Sequence, residues 1–255
     1  MIAPTGPVLC LHGFTGTPFD VGALAQVLEG RGHLVATPML PGHGGTVGDL
    51  AATTANDWLS AADTALTRLV DATATRVAIA GASMGALLAL RLARRRPDTI
   101  AALILMAAPL RFRPIDRARV EVRRVAAMFG IRSGTIKKTG GVDIADSAVR
   151  ALSPSLTAYP ITGLHHLIAL SDAAAADVPS VTAPALIVHG RLDRTVPLDV
   201  SEELASKLGS SVVERLWLDD SGHLVAIDRD RKAVADSVSA FLAQHAVWAR
   251  ATVPA

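Results

Sequence analysis

The sequence predicts an α/β fold in which helices cover both faces of a mainly parallel central sheet. Segments with apolar residues at helical spacing alternate along the chain with short, continuously apolar runs. Strands that are buried on both faces have this continuous apolar character. The alternation is lost between residues 110 and 182, where no clear strand is visible. We interpret this segment as a mostly helical insertion that caps the open end of the sheet.

The elements before the insertion follow from local signals. Residues 8–11 are an uninterrupted apolar run, and Thr17-Pro18 supplies the cap and the first-turn proline with which a helix begins. Prolines and glycines between residues 40 and 45 indicate a loop. Apolar residues recur at helical spacing from Trp58 to Leu69. We predict strands at 8–11, 34–37, 76–80 and 100–107, alternating with helices at 17–30, 57–70 and 84–95.

The same signals continue after the insertion, with strands predicted at 184–189 and 212–218 and helices at 198–208 and 231–245. A chain of 255 residues, half of them hydrophobic, can bury the large core that one such domain needs. We therefore predict a core formed by residues 1–109 and 183–255 and a cap formed by residues 110–182.

Basic charge is concentrated in the predicted cap. Nine Lys and Arg residues and two acidic residues lie between positions 110 and 138, a local charge of +7 in a chain whose net charge is +2. A helix is predicted from Pro114, and its apolar stripe would pack on the core with a solvated basic face. Contact of this helix with anionic lipid surfaces and binding of an anionic substrate group are the alternatives. The stripe consists of Ile115, Ala118, Val122, Val125, Ala126 and Phe129.

The rest of the cap offers few anchors. The glycine- and lysine-containing segment 130–141 is predicted to be a mobile loop near the pocket entrance. The basic cluster lacks interleaved aromatic residues, so we do not expect nucleic-acid binding. His165 and His166 are adjacent and would point in different directions on a helix, and no metal-binding pattern is visible.

Composition also bears on the compartment. Cys10 is the only cysteine, so a disulfide framework within the chain is excluded, and its apolar surroundings predict a buried core residue. The uncharged apolar stretch 77–90 is too short to cross a bilayer. No signal peptide is recognisable. We expect a cytoplasmic protein.

A candidate nucleophile lies at the junction of a predicted strand and helix. Gly81-Ala82-Ser83-Met84-Gly85 forms a G-x-S-x-G pattern, in which the serine occupies a sharp turn with its hydroxyl exposed above the sheet. Small residues at both flanks let the strand and the helix approach closely. A structural serine is the alternative.

A serine hydroxyl needs a general base and an orienting acid to react near neutral pH. His223 lies in the loop after the last predicted strand, and Asp193 follows the preceding strand. The carboxyl ends of parallel strands share one edge of the sheet, where sites form. We predict His223 as the base and Asp193 as the acid, with Asp219 or Asp220 as alternatives for the acid.

The negative charge of a tetrahedral intermediate requires preorganised N–H donors. We predict the backbone N–H of Met84, at the start of its helix, and that of Phe14, in the loop after the first strand. His12 is predicted to hold that loop in place rather than to react. The side chains of Phe14, Met84, Tyr159 and His165 are candidates for the substrate pocket.

Taken together, these motifs resemble those of the α/β-hydrolase superfamily, and within it bacterial carboxylesterases and monoacylglycerol lipases. The resemblance implies Ser83, Asp193 and His223 as the triad, oxyanion donors at Phe14 and Met84, and ester hydrolysis without a cofactor. Ala86 departs from it, since a third glycine is usual there. The motifs are residues 11–18 (LHGFTGTP), 40–44 (LPGHG), 57–58 (DW), 81–85 (GASMG) and 185–190 (ALIVHG).

The predicted reaction is cleavage of short-to-medium acyl esters or monoacylglycerols through an acyl-enzyme on Ser83. A thioesterase or an acyltransferase with the same triad is an alternative, because only the leaving group or the acceptor would change. A non-catalytic ligand-binding protein on the same fold is an alternative of another class. Weak peripheral membrane contact through the basic cap is a possible partner interaction, and the oligomeric state is not predicted.

Overall fold

The computed structural model describes residues 5–130 and 134–251. Its central feature is a six-stranded sheet that confirms the predicted fold class. In chain order the elements are β1 (Pro7–Leu11), α1 (Phe19–Gly30), β2 (Leu34–Ala36), α2 (Val47–Ala51), α3 (Ala55–Thr73), β3 (Val77–Ala82), α4 (Met84–Arg95), β4 (Ile100–Met106), α5 (Pro114–Met128), β5 (Thr135–Lys137), α6 (Ser147–Leu152), β6 (Ala158–Pro160), α7 (Ile161–Asp177), β7 (Ala185–Gly190), α8 (Leu198–Lys207), β8 (Val213–Leu218) and α9 (Arg231–His245).

The sheet has the strand order β2-β1-β3-β4-β7-β8, and every pairing in it is parallel. Alternate side chains of each strand enter two separate cores. In β1, Leu9 and Leu11 pack with α3 and α4, whereas Val8 and Cys10 pack with α1 and α9. Burial on both faces is the reason that the four inner strands, β1, β3, β4 and β7, are almost continuously apolar in sequence.

The prediction that Cys10 is a buried core residue is confirmed. Its side chain is fully buried, and this burial, together with Glu29, raises the pKa of the thiol to about 12. A thiol with so high a pKa is present almost entirely in its unreactive, protonated form at neutral pH.

The helix α3, which precedes β3, begins two residues earlier than predicted. Thr54 caps α3, since its hydroxyl accepts the Asp57 N–H while the Asp57 carboxylate accepts the Thr54 N–H. The short helix α2, which was not predicted, has the same reciprocal cap formed by Thr46 and Asp49. The T-x-x-D spacing was the available signal for both helix starts.

Between β4 and β7 the chain leaves the sheet and forms α5, α6 and α7. This segment is mostly helical, as predicted, but β5 and β6, which the sequence did not reveal, pair there as a short antiparallel sheet. Three-residue strands with mixed exposure leave no apolar run for a sequence pattern to detect. β5 also occupies part of the predicted mobile loop, and residues 131–133 of that loop, including Arg132, lie outside the described residues. The division into a core and a cap stays a prediction.

The orientation of α5 also differs from the expectation. Its apolar stripe does not pack on the core, since Val122 is 70% exposed and Phe129, directly after the helix, is 72% exposed. Val120 instead faces inward, toward Ile161 and Ile168 of α7. No described helix combines the length and the apolar character that a bilayer crossing needs.

Candidate active site

Ser83 occupies the sharp turn between β3 and α4. Its φ of 53° and ψ of −115° lie in a region that non-glycine residues rarely adopt, which marks a strained position. The flanking glycines make the turn possible. A Cβ on Gly81 would lie 2.3 Å from the Gly85 carbonyl, and one on Gly85 would lie 2.2 Å from the Leu11 carbonyl oxygen. The backbone N–H of Ser83 donates to the Met106 carbonyl at 2.8 Å, which ties the turn to β4.

Asp193 and His223 are brought together at the carboxyl ends of β7 and β8. The His223 Nδ1 atom lies 2.8 Å from the Asp193 Oδ2 atom, and both side chains are almost completely buried. Burial opposes ionisation of Asp193, but the charge of His223 and several hydrogen bonds outweigh it and hold the pKa of Asp193 well below its usual range. Burial likewise lowers the pKa of His223, yet the Asp193 carboxylate raises it above the ordinary value overall. The pair is therefore arranged to stabilise a protonated imidazole.

The orientation of the Asp193 carboxylate is held by its own loop. Its Oδ1 atom accepts the backbone N–H groups of Thr195 at 2.7 Å and Val196 at 2.8 Å. This leaves Oδ2 to face the histidine. Asp219, one of the alternative acids, pairs instead with Arg191 and is 83% exposed at its side chain.

His189 is a second histidine partner of Asp193, and sequence reasoning missed it. Its Nε2 atom lies 3.0 Å from Asp193 Oδ2 and 2.9 Å from the Val196 carbonyl, while Nδ1 lies 2.6 Å from the Ser201 hydroxyl. Both partners of Nε2 are acceptors, so we assign the proton to Nε2 and let the Ser201 hydroxyl donate to Nδ1. The motif that contains His189 and Asp193 was the available signal.

The loop of His223 is anchored by two aspartates that the sequence did not single out. Asp228 is fully buried and accepts backbone N–H bonds from Ala145, Asp146, Gly222 and Arg229, at 2.8 to 2.9 Å. The carbonyl of Asp143 accepts the N–H of His223 at 3.0 Å. Because residues 143–146 precede α6, the segment between β4 and β7 helps to position the histidine.

The loop after β1 lies beside Ser83. A Cβ on Gly13 would come within 3.3 Å of the Ser83 Cβ atom. Among the residues that the structure describes, the N–H groups of Phe14 and Met84 donate no hydrogen bond, which leaves both available to an oxyanion. The Gly13 carbonyl, across the same peptide group as the Phe14 N–H, accepts the Gly16 N–H at 3.2 Å. The direction of the Phe14 N–H is therefore held.

His12 contributes to the same peptide orientation. The Leu40 N–H donates to Nε2 of His12 at 3.1 Å, so Nδ1 carries the proton and donates to the Gly13 carbonyl at 3.0 Å. Burial lowers the pKa of His12 to about 4 against the opposing effect of its bond to Gly13. The ring is thus neutral near pH 7 and holds the loop, as the sequence analysis expected.

The predicted pocket residues have different surroundings. The ring of Phe14 packs 6.1 Å from that of Tyr159 and 5.7 Å from that of Trp58, whereas Met84 is fully buried among core residues. His165 points to Glu121 of α5, with which it forms a hydrogen bond. Pocket roles for these side chains stay predictions.

One expected contact is not made. Within residues 5–130 and 134–251, the Ser83 hydroxyl forms no hydrogen bond to His223. Such bonds are often long without a substrate and shorten when the reacting complex forms. The structure therefore places Ser83, Asp193 and His223 at one edge of the sheet, with no hydrogen bond between Ser83 and His223.

The chain is similar to several known proteins. Residues 2–230 match the family model described as serine aminopeptidase, S33. The chain is similar to a thermostable monoacylglycerol lipase of Bacillus sp. (strain H-257), with 30% identity over 96% of the chain and 94% of the relative. It is also similar to a carboxylesterase of Bacillus subtilis (strain 168), with 25% identity over 92% of the chain and 91% of the relative.

The fold is similar to a solved structure from work on LipS and LipT, two metagenome-derived lipolytic enzymes. The TM-score is 0.86 at 31% identity, and the match covers 96% of both chains.

Proposed function

The chain belongs to the serine aminopeptidase S33 family of α/β-hydrolases, and we propose that it hydrolyses carboxylic esters through an acyl-enzyme on Ser83. Its relatives are lipases and esterases, so the chain is an enzyme of the carboxylic ester hydrolase class. The observation that carries the proposal is the buried 2.8 Å hydrogen bond between His223 and Asp193, at the same carboxyl edge of the sheet as the strained turn of Ser83.

The proposed reaction begins with proton transfer from Ser83 to His223. With Nδ1 of His223 donating to Asp193, Nε2 is the nitrogen that is free to accept this proton. The serine oxygen then attacks the ester carbonyl, and the N–H groups of Phe14 and Met84 stabilise the resulting oxyanion. His223 returns the proton to the leaving alcohol. It next activates a water molecule, which releases the acid and regenerates Ser83.

We propose short-to-medium acyl esters or monoacylglycerols as substrates. The names of the two Bacillus relatives support this class. Phe14 lies in the loop after β1 that holds a proposed oxyanion donor (residues 12–16, the oxyanion loop). Its aromatic ring packs against Trp58 and Tyr159 and would present apolar surface to an acyl chain.

The test is replacement of the proposed nucleophile. Ser83→Ala should abolish turnover of p-nitrophenyl esters and stoichiometric labelling by a fluorophosphonate, while the unfolding midpoint stays near that of the wild type. Ser60→Ala, at an exposed position of α3, is the matched control and should keep full activity. Retained turnover in Ser83→Ala would exclude Ser83 as the nucleophile. Absence of labelling in the wild type would favour a non-catalytic binding protein.

The exposed stripe of α5 supports a second proposal, peripheral contact with anionic lipid surfaces. Its apolar side chains, such as Val122, face solvent within a segment of local charge +7. Apolar area and basic charge on one helix are the features that bind helices to anionic membrane interfaces. Cytoplasmic location stays a prediction from the sequence.

Vesicle co-sedimentation tests this contact. We expect binding to anionic vesicles at low salt that weakens at high salt and in the variant Val122→Glu. Leu152→Glu is the matched control, since Leu152 is an equally exposed residue, at 73%, on α6. No binding of the wild type to anionic vesicles at low salt would refute the contact.

A further inference from the structure

The short β5–β6 sheet brings two groups onto one residue of the oxyanion loop. The backbone N–H of Leu156, just before β6, donates to the Thr15 carbonyl at 3.0 Å. The side chain of Lys138, which follows β5, donates to the Thr15 hydroxyl. Lys138 is itself held by its backbone N–H, which donates to the Thr157 carbonyl at 2.8 Å. Both attachments therefore come from the same small sheet.

Thr15 is well placed to pass this restraint on. It is almost fully buried and has a φ of 67°, a left-handed conformation that a β-branched residue adopts only when its surroundings impose it. Its hydroxyl accepts from Lys138 and donates to the carbonyl of Phe14. A continuous chain of hydrogen bonds thus runs from the lysine to the residue whose N–H is the proposed oxyanion donor.

Lys138 is partly buried, and its surroundings offset the cost of that burial. Burial lowers the pKa of the Lys138 ammonium, and the neighbouring Asp20 opposes this change. Asp20 lies under the same loop, where its Oδ2 atom accepts the Gly13 N–H at 3.4 Å and its Oδ1 atom has no hydrogen-bond partner among the described residues. A buried ammonium is retained against its desolvation cost only where it makes compensating contacts.

We propose that Lys138 is a positioning residue that holds the oxyanion loop in its reactive conformation through Thr15. The inference rests on the proposed ester hydrolysis, since Phe14 must serve as an oxyanion donor.

The experiment compares Lys138→Met with Lys137→Met. Methionine keeps a long unbranched stem but removes the donor, and Lys137 is an exposed neighbour on β5. Loss of a whole oxyanion donor costs about 10²- to 10³-fold in kcat, so misalignment of one donor should cost about 10- to 100-fold. We expect that loss in kcat for Lys138→Met, with KM within about twofold because the interaction acts on the transition state. Lys137→Met should match the wild type.

Thr15→Val removes the same contact from the other side and provides a double-mutant cycle. If Lys138 acts through Thr15, the kcat of the double variant should be no lower than that of the less active single variant. Multiplicative losses, or equal kcat in Lys138→Met and Lys137→Met, would overturn the inference. Failure of the proposed function is distinguishable, because the wild type would then show neither ester turnover nor fluorophosphonate labelling.

Discussion

Replacement of Asp193 by Asn tests its proposed role as the acid of a catalytic triad. The amide oxygen of the new side chain should keep the place of Oδ1, because two backbone N–H groups donate there. Its NH₂ group then replaces Oδ2 and faces His223 Nδ1 and His189 Nε2, both of which are donors. The backbone donors cannot change, whereas an imidazole can shift its proton. His223 should therefore take the other tautomer, with the proton on Nε2.

The size of the effect follows from this change of tautomer. A histidine with its proton on Nε2 cannot accept the Ser83 proton, and in a triad this change lowers kcat about 10⁴-fold, or about 5.5 kcal/mol in activation free energy. The amide N–H that faces His189 then has no acceptor in a buried place, because His189 Nε2 keeps its proton and donates it to the Val196 carbonyl. One such unsatisfied donor should lower the free energy of unfolding by about 1–3 kcal/mol.

Steady-state kinetics with p-nitrophenyl esters and urea unfolding measure the two quantities separately. Asp219→Asn is the matched control, because Asp219 is exposed and pairs with Arg191. It should change neither quantity appreciably. If Asp193→Asn retained kcat within tenfold of the wild type, or if Asp219→Asn lost as much, the assignment of the acid would be wrong.

Three further predictions follow from buried groups. Asp228→Ala orphans four backbone N–H groups and should lower the free energy of unfolding by at least about 4 kcal/mol in urea titrations, so a loss below about 1 kcal/mol would contradict it. Burial raises the pKa of Asp20 from 3.8 to about 7, so the folded state keeps a proton that the unfolded chain releases, and stability falls as pH rises across that window. Asp20→Asn should therefore gain stability over the wild type between pH 5 and 8, and a constant difference would refute this. The raised pKa of His223 predicts that kcat/KM declines as pH falls through a value above 6.5, and that this limb moves to lower pH in Asp193→Asn.

The strand-to-helix order and the triad candidates could be predicted from local information. Strands buried on both faces must be apolar throughout, and a parallel sheet gathers the ends of its strands at one edge. Ser83, Asp193 and His223 each follow such a strand, so their approach was expected before any distance was known. His223 contacts Asp193 at 2.8 Å, whereas Asp219 pairs with Arg191. This agrees with that expectation.

The supporting residues could not be predicted in the same way. Asp228 reaches across 83 residues to the Ala145 N–H, and Lys138 reaches across 123 residues to Thr15. Neither contact has a periodic pattern, because each depends on the direction of a single side chain after packing. In the sequence, His189 is only part of an apolar strand motif, and its contact with Asp193 is visible in the structure alone.

The amphipathic pattern of α5 shows where local information ends. Sequence determined that one face of this helix is apolar, since that follows from residue spacing alone. Only the tertiary structure decided that Val120 faces inward while Val122 stays in solvent, because which face is covered depends on the neighbouring α7. The same division holds for the whole protein. Spacing along the chain determines the strands of the central sheet and the main helices that cover it, whereas contacts between distant segments decide the short β5–β6 pair and how the reacting groups are held.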